Sequence, residues 1–133
     1  MMTDLQIKQS QQEARVPVTV FELAGELNSN NVQRFQTEAR QALDAGTRYV
    51  MLDLSQLTYI SSGGLRALFV LAKALSAKDG TSQASKRSQT APFKSPYLKL
   101  LNPTPHVRKV LESMGFTTSF EIYGDQDTAL RSF

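Results

Sequence analysis

Between Tyr49 and Leu75 the chain changes hydrophobic period once, and that change restricts the fold more than any other feature. Tyr49-Val50-Met51-Leu52-Asp53-Leu54 is a nearly unbroken apolar run with the length and β-branched or aromatic content of a buried strand. Farther on, Leu65, Leu68, Phe69, Ala72 and Leu75 recur at i, i+3, i+4, i+7 and i+10, the apolar face of a helix. Ser61-Ser62-Gly63-Gly64 lies between them and predicts a strand-to-helix turn. Serine is a favoured N-cap because its hydroxyl accepts from the orphan amides of the first turn, and Gly63 and Gly64 leave those amides uncovered. Such a helix start attracts anions. A phosphoryl group on Ser62 would meet it, which makes Ser62 a candidate regulatory phosphosite. A well-capped structural turn accounts for the same residues.

The flanking sequence predicts the rest of the order. Leu5-Gln6-Ile7-Lys8 alternates like an edge strand, Arg15-Val16-Pro17 interrupts it, and Val18 to Leu23 reads as its antiparallel hairpin partner. Gly25-Glu26-Leu27-Asn28-Ser29 ends that strand. Asn28, Ser29 or Asn30 then caps a helix marked by Val32, Phe35, Ala39 and Leu43 and stopped by Gly46. After the central strand and helix, Asp79-Gly80 opens a polar stretch. Residues 81–96 are longer than an ordinary connection and read as a flexible insertion. Tyr97 to Leu101 restores a strand. Pro105 starts a helix carrying Val107, Val110, Leu111 and Met114, which Gly115 ends. Phe116 to Tyr123 leads into a last strand, and Asp125 caps a terminal helix through Ala129 and Leu130. The expected fold class is α/β, a mixed and largely parallel sheet of about five strands with an N-terminal antiparallel hairpin and about four helices.

Composition excludes several functions. The 133 residues fit one domain, with 41% hydrophobic and 20% charged residues. No apolar run approaches the roughly 20 residues needed to span a bilayer, and Met1-Met2-Thr3-Asp4 lacks a signal-peptide pattern, so a cytoplasmic location is expected. Cysteine is absent, which removes disulfides, thiolate metal sites and a cysteine nucleophile. The formal charge of +3 could suggest nucleic acid. The excess is local, however: residues 81–96 carry Lys86, Arg87 and Lys94 and no acid, without interleaved aromatic residues that would stack on bases.

Catalytic constellations are also missing. His106 is the single histidine, and its place beside Pro105 at a helix start predicts an exposed surface residue. Ile60-Ser61-Ser62-Gly63-Gly64 lacks the first glycine of a hydrolase elbow, and neither a Gly-x-x-x-x-Gly-Lys loop nor a Gly-x-Gly-x-x-Gly turn occurs. Glu26, Asp44 and Asp53 are scattered along the chain and argue no metal site. No enzyme, cofactor or metal is expected. Asp53, at the end of the apolar run, is expected either to orient the serine loop or to act as a structural cap.

Leu52-Asp53-Leu54-Ser55 followed by Tyr59-Ile60-Ser61-Ser62-Gly63-Gly64-Leu65 resembles the signature of the STAS family, typified by the anti-sigma factor antagonists of bacteria. That signature runs strand, Asp-Leu-Ser, a short loop, then Asp-Ser-Ser-Gly-Leu opening a helix. Aligned on Gly64-Leu65, the family's phosphorylated serine falls on Ser62 and its preceding Asp on Ser61, while Gly63 takes the place of a small residue. Gly25-Glu26-Leu27 matches a second family segment, with Asn28 in place of Asp. The resemblance covers nearly the whole chain outside residues 81–96, giving one STAS-like domain over residues 1–133.

It implies a partner-switching regulator controlled by reversible phosphorylation of Ser62. Ser61, Gly63, Gly64, Leu65, Arg66, Asn28 and Asp53 would form the phosphosite loop and partner contact. The implied partners are an anti-sigma factor that is also a serine kinase of the histidine-kinase-like ATPase fold, and a metal-dependent serine phosphatase. Direct nucleic-acid binding and membrane insertion are not implied. The alternative is a STAS module that binds without being phosphorylated, in a lipid-transport or signalling assembly.

Overall fold

Alternation along three strands sorts the side chains onto two faces of one sheet. The computed structural model describes residues 5–78, 95–115 and 120–133. Its elements are β1 (Gln6–Glu13), β2 (Pro17–Leu27), α1 (Val32–Asp44), β3 (Val50–Ile60), α2 (Ser62–Lys78), β4 (Leu98–Leu101), α3 (Pro105–Ser113), β5 (Ile122–Tyr123) and α4 (Gln126–Arg131). The strands lie in sequence order in one five-stranded sheet. β1 and β2 pair antiparallel, from Gln6 opposite Ala24 to Glu13 opposite Pro17, and every later pair is parallel. The mixed sheet and the predicted element order are both present.

Phe21, Leu23, Leu52, Leu54, Leu98 and Leu100 point to one face, where they pack with Phe35 and Ala39 of α1, Leu68 and Leu75 of α2, and Val107 and Leu111 of α3. Each Leu, Val or Phe buried in this way contributes about 1.5–3 kcal/mol. The other face holds Val18, Val20, Met51 and Leu101 against Ala129 and Leu130 of α4. Lys99 shares that second face and is only 3% exposed. Its ammonium donates to the Ser132 carbonyl (2.9 Å) and hydroxyl (3.0 Å), lies 3.2 Å from a Glu121 carboxylate oxygen, and sits 4.8 Å from the Phe133 ring centre. A buried charge is tolerable only with such partners. The Tyr123 hydroxyl bonds the same Glu121 carboxylate, and burial, then that bond, pushes its pKa above the ordinary value.

Several boundaries differ from expectation. β1 runs past the alternating Leu5–Lys8 segment to Glu13, just ahead of the interruption expected at Arg15. β3 continues six residues past Leu54 to Ile60, because β2 follows it through register shifts on either side of Ala24 and Gly25. Gly25 takes φ +98°, a conformation open to glycine, where the second shift occurs. The cap of α1 is Asn31, not Asn28, Ser29 or Asn30. Phe69, expected on the buried stripe of α2, is 45% exposed and meets the buried Phe120 edge-on, with ring centres 6.2 Å apart. Ala67 and Leu71 are buried instead, so the stripe is rotated away from Phe69. Pairing in the last strand covers Ile122–Tyr123 alone, and residues 116–119 lie outside the described residues.

Of the expected insertion, residues 81–94 lie outside the described residues. Ser95 belongs to the fold: it is buried, and its hydroxyl accepts from the amides of Tyr97 and Leu98 at 3.2 Å each, turning the chain into β4. Asp125 caps α4 as expected. Its carboxylate accepts from the Thr128 amide and hydroxyl, both at 2.9 Å, which holds its pKa below the usual carboxylate value.

Candidate functional site

Parallel strands with helical crossovers bring chain reversals together at the carboxyl ends of the strands, and open α/β sheets place their sites there. Leu27 of β2 and Ile60 of β3 are the last parallel pair. The Ser61 amide then donates to the Leu27 carbonyl at 2.9 Å, so Asn28 and Ser61 leave the sheet side by side. Thr104, ahead of α3, closes the third side through its hydroxyl, which donates to the Leu57 carbonyl at 2.6 Å.

The two serines divide the work at the start of α2. Ser61 is the cap: its hydroxyl accepts from the Gly64 amide at 3.1 Å, and its carbonyl accepts the first helical bond from Leu65 at 2.9 Å. Ser62 is the first helical residue and is exposed. Among the described residues no side chain hydrogen-bonds its hydroxyl. That hydroxyl faces solvent at the start of α2.

The glycines differ as well. A Cβ on Gly64 would lie 2.9 Å from Ile60 Cγ1, 3.0 Å from Leu27 Cγ and 3.1 Å from the Leu27 carbonyl oxygen, so glycine lets the helix start press against the sheet edge. A Cβ on Gly63 would meet nothing closer than the Ser61 hydroxyl at 3.7 Å. Leu65 is buried behind the turn, and Arg66 is exposed one turn along.

Asn28 shapes the neighbouring loop. Its side-chain oxygen accepts from the Asn30 amide and its own amide donates to Asn31 Oδ1, both at 2.9 Å, while Asn31 Nδ2 donates to the Glu26 carbonyl at 2.9 Å. Asn28 thus stands beside Ser61. Asp53 does not. Because β3 continues to Ile60, Asp53 is mid-strand between Glu22 and Leu101, and its carboxylate accepts from the Ser55 amide at 3.0 Å. Eight residues of strand, at about 3.3 Å each, separate it from Ser61 by roughly 25 Å. Alternation with Met51 puts it on the α4 side of the sheet, away from the serine turn.

His106 is exposed, as expected, but it is not isolated. Its ring stacks on Tyr59 at 5.9 Å between centroids and 19° between planes, joining the start of α3 to the strand that delivers Ser61. Sequence reasoning passed over Tyr59 as a site residue and assigned Phe69 to the core. The missed signal for Phe69 was its spacing of seven from Ser62, two helical turns on one face. Among the described residues no cluster of three or more His, Cys, Asp or Glu side chains could hold a metal, and no helix is long and apolar enough to cross a membrane.

Similarity to known proteins follows the same outline. The model of the STAS domain matches residues 8–82. BtrV of Bordetella bronchiseptica, named as a candidate anti-sigma factor antagonist, is 34% identical over 111 residues, covering 84% of this chain and 82% of its own. A Thermotoga maritima protein described in the same way superposes with a TM-score of 0.70 at 20% identity, over 94% of this chain and 90% of that one. The anti-sigma factor antagonist SpoIIAA in its unphosphorylated form gives 0.68 at 21% identity, over 95% and 92% of the two chains. The phosphorylated form of Bacillus SpoIIAA gives 0.62 at 20% identity, over 95% and 96%. The structural matches speak to fold alone, while the family model covers more than half of the chain and the Bordetella relative most of it. This chain belongs to the STAS domain family.

Proposed function

We propose that this chain is an anti-sigma factor antagonist acting by partner switching in the cytoplasm, as one domain over residues 1–133 with an insertion that ends ahead of Ser95, and that it is not an enzyme. In its unmodified form it binds an anti-sigma factor of the histidine-kinase-like ATPase fold and frees the sigma factor. The same partner phosphorylates Ser62, which ends the binding, and a metal-dependent serine phosphatase restores it. The contact surface is Ser61, Ser62, Gly63 and Arg66 together with Asn28, with Gly64 and the buried Leu65 anchoring the turn behind it. The observation that carries this reading is the exposed Ser62, on a helix start locked to the sheet edge by Ser61 and Gly64.

Phosphate there adds about 1.5–2 negative charges beside the positive end of a helix. The fold accommodates that charge, whereas an interface closing over it must desolvate it. A second reading, a STAS module that binds without phosphorylation, is favoured by Ser61 and Asn28, uncharged where the family's pattern carries acids. Mass spectrometry of the chain isolated from its native cell separates the two. Phosphate on Ser62, lost in Ser62→Ala, is the expected result; an unmodified Ser62 under every growth condition would move the function to the second reading.

A further inference from the structure

Helical spacing assembles a second feature that starts at Ser62. Ser62, Arg66, Phe69 and Lys73 lie at i, i+4, i+7 and i+11 along α2, and all four are exposed. Phe69 is 45% exposed, on a helix whose other side carries Leu65, Leu68, Leu71 and Leu75 into the core. The sequence of α2 contains no acidic residue from Ser62 to Lys78, so the stripe holds one aromatic ring between two cations. Exposed aromatic and arginine side chains are the residues that most often anchor interfaces, and flanking charges select the partner and speed its approach.

We infer that this stripe is the docking edge for a protein surface of opposite character, an apolar pocket that takes Phe69, bordered by carboxylates that meet Arg66 and Lys73. The inference rests on the partner-switching reading and names the chemistry that the anti-sigma partner presents. Charge complementarity is its argument: a helix face whose charges are all basic, with Phe69 and the exposed Val70 between them, fits an acidic rim around an apolar hollow. It also gives the switch a mechanism. A phosphate on Ser62 sits one turn from Arg66, where it competes with the partner's carboxylates for that guanidinium and repels the acidic rim.

The test is calorimetric titration of the purified anti-sigma partner from the same cell with the whole chain and four variants. Phe69→Ala is expected to weaken binding about tenfold. Arg66→Glu and Lys73→Glu are each expected to weaken it about three- to tenfold and to flatten its dependence on salt. Met114→Ala, which removes a 55% exposed apolar side chain on the chain following α3, serves as the control and should stay within twofold. Circular dichroism checks that each variant is folded, and the two charge reversals decide the matter if Phe69→Ala is not. Wild-type binding with Phe69→Ala and both reversals at wild-type affinity would overturn the stripe and leave the partner-switching reading standing. Absence of wild-type binding would overturn both.

Discussion

The two faces of the sheet are held by different physics. One is covered by α1, α2 and α3 and joined to them by aliphatic and aromatic contact; the other is covered at one end by the six-residue α4, pinned through a buried lysine. Apolar area is non-directional and tolerant of small adjustments. A buried ammonium is stabilising only while each of its partners is in place. The helix carrying the candidate site belongs to the first face, so Ser62 is displayed from the more extensively packed half of the molecule.

The largest expected effect breaks the first face. Leu68 is fully buried, and Leu68→Ala should cost about 2–5 kcal/mol in denaturant titration, while Arg66→Ala on the exposed side stays within about 0.5 kcal/mol. Equal losses would contradict the orientation of α2. Next is the contact of that helix with the sheet edge. Gly64→Ala forces Ile60 and Leu27 apart and should cost about 1–3 kcal/mol. Gly63→Ala, with room for its Cβ, should be neutral or stabilising by up to about 1 kcal/mol. The reverse ranking would show that the close approach at Gly64 is unimportant.

Sharpening the comparison on the second face, Lys99→Met removes the ammonium that holds Ser132 and Glu121. The Glu121 side chain is 35% exposed and can turn to water, so a loss of about 1–2 kcal/mol is expected, concentrated in faster amide exchange of α4. Uniform acceleration across α1 and α2 would mean that the faces are not separable. The smallest effect is at the cap of α4. Asp125 has its folded pKa lowered by the Thr128 bonds, so its contribution is present above the unfolded carboxylate value and fades as pH falls through the lower folded value. Asp125→Ala should therefore lose stability near neutrality and show a shallower decline below about pH 4. An unchanged acid limb would remove that cap from the account.

The first face was the more legible in sequence. Val50-Met51-Leu52 and the recurrence of Leu65, Leu68, Ala72 and Leu75 specify burial directly, because apolar periodicity reports what packs against a core. Phe69 misled because a stripe's edge is decided by the neighbour it meets, here Phe120, which sequence spacing does not locate. On the second face, Leu98-Lys99-Leu100 reads as ordinary alternation with the lysine in water. Its burial depends on Ser132 and Glu121, more than twenty residues away, and no local pattern announces such a pairing. At the site, the turn was readable from Ser61 to Gly64, because capping is local chemistry. The share of each serine was not: which one caps is set by the Ser61 amide reaching Leu27 across the sheet. Asp53 was misplaced for a related reason, since the apolar run stops at Leu54 while pairing with β2 carries the strand to Ile60.

In the proposed switch, a phosphate on Ser62 ends partner binding while the fold stays intact. Its most direct measurement is calorimetric titration of the histidine-kinase-like anti-sigma partner with unmodified and Ser62-phosphorylated chain, alongside circular dichroism of both. A shift from 99% to 1% bound-competent protein corresponds to about 5.5 kcal/mol of differential affinity. The expected result is tight binding of the unmodified chain, a large loss on phosphorylation, a partial loss for Ser62→Asp, and native spectra throughout. Equal affinities for the two native forms would contradict it.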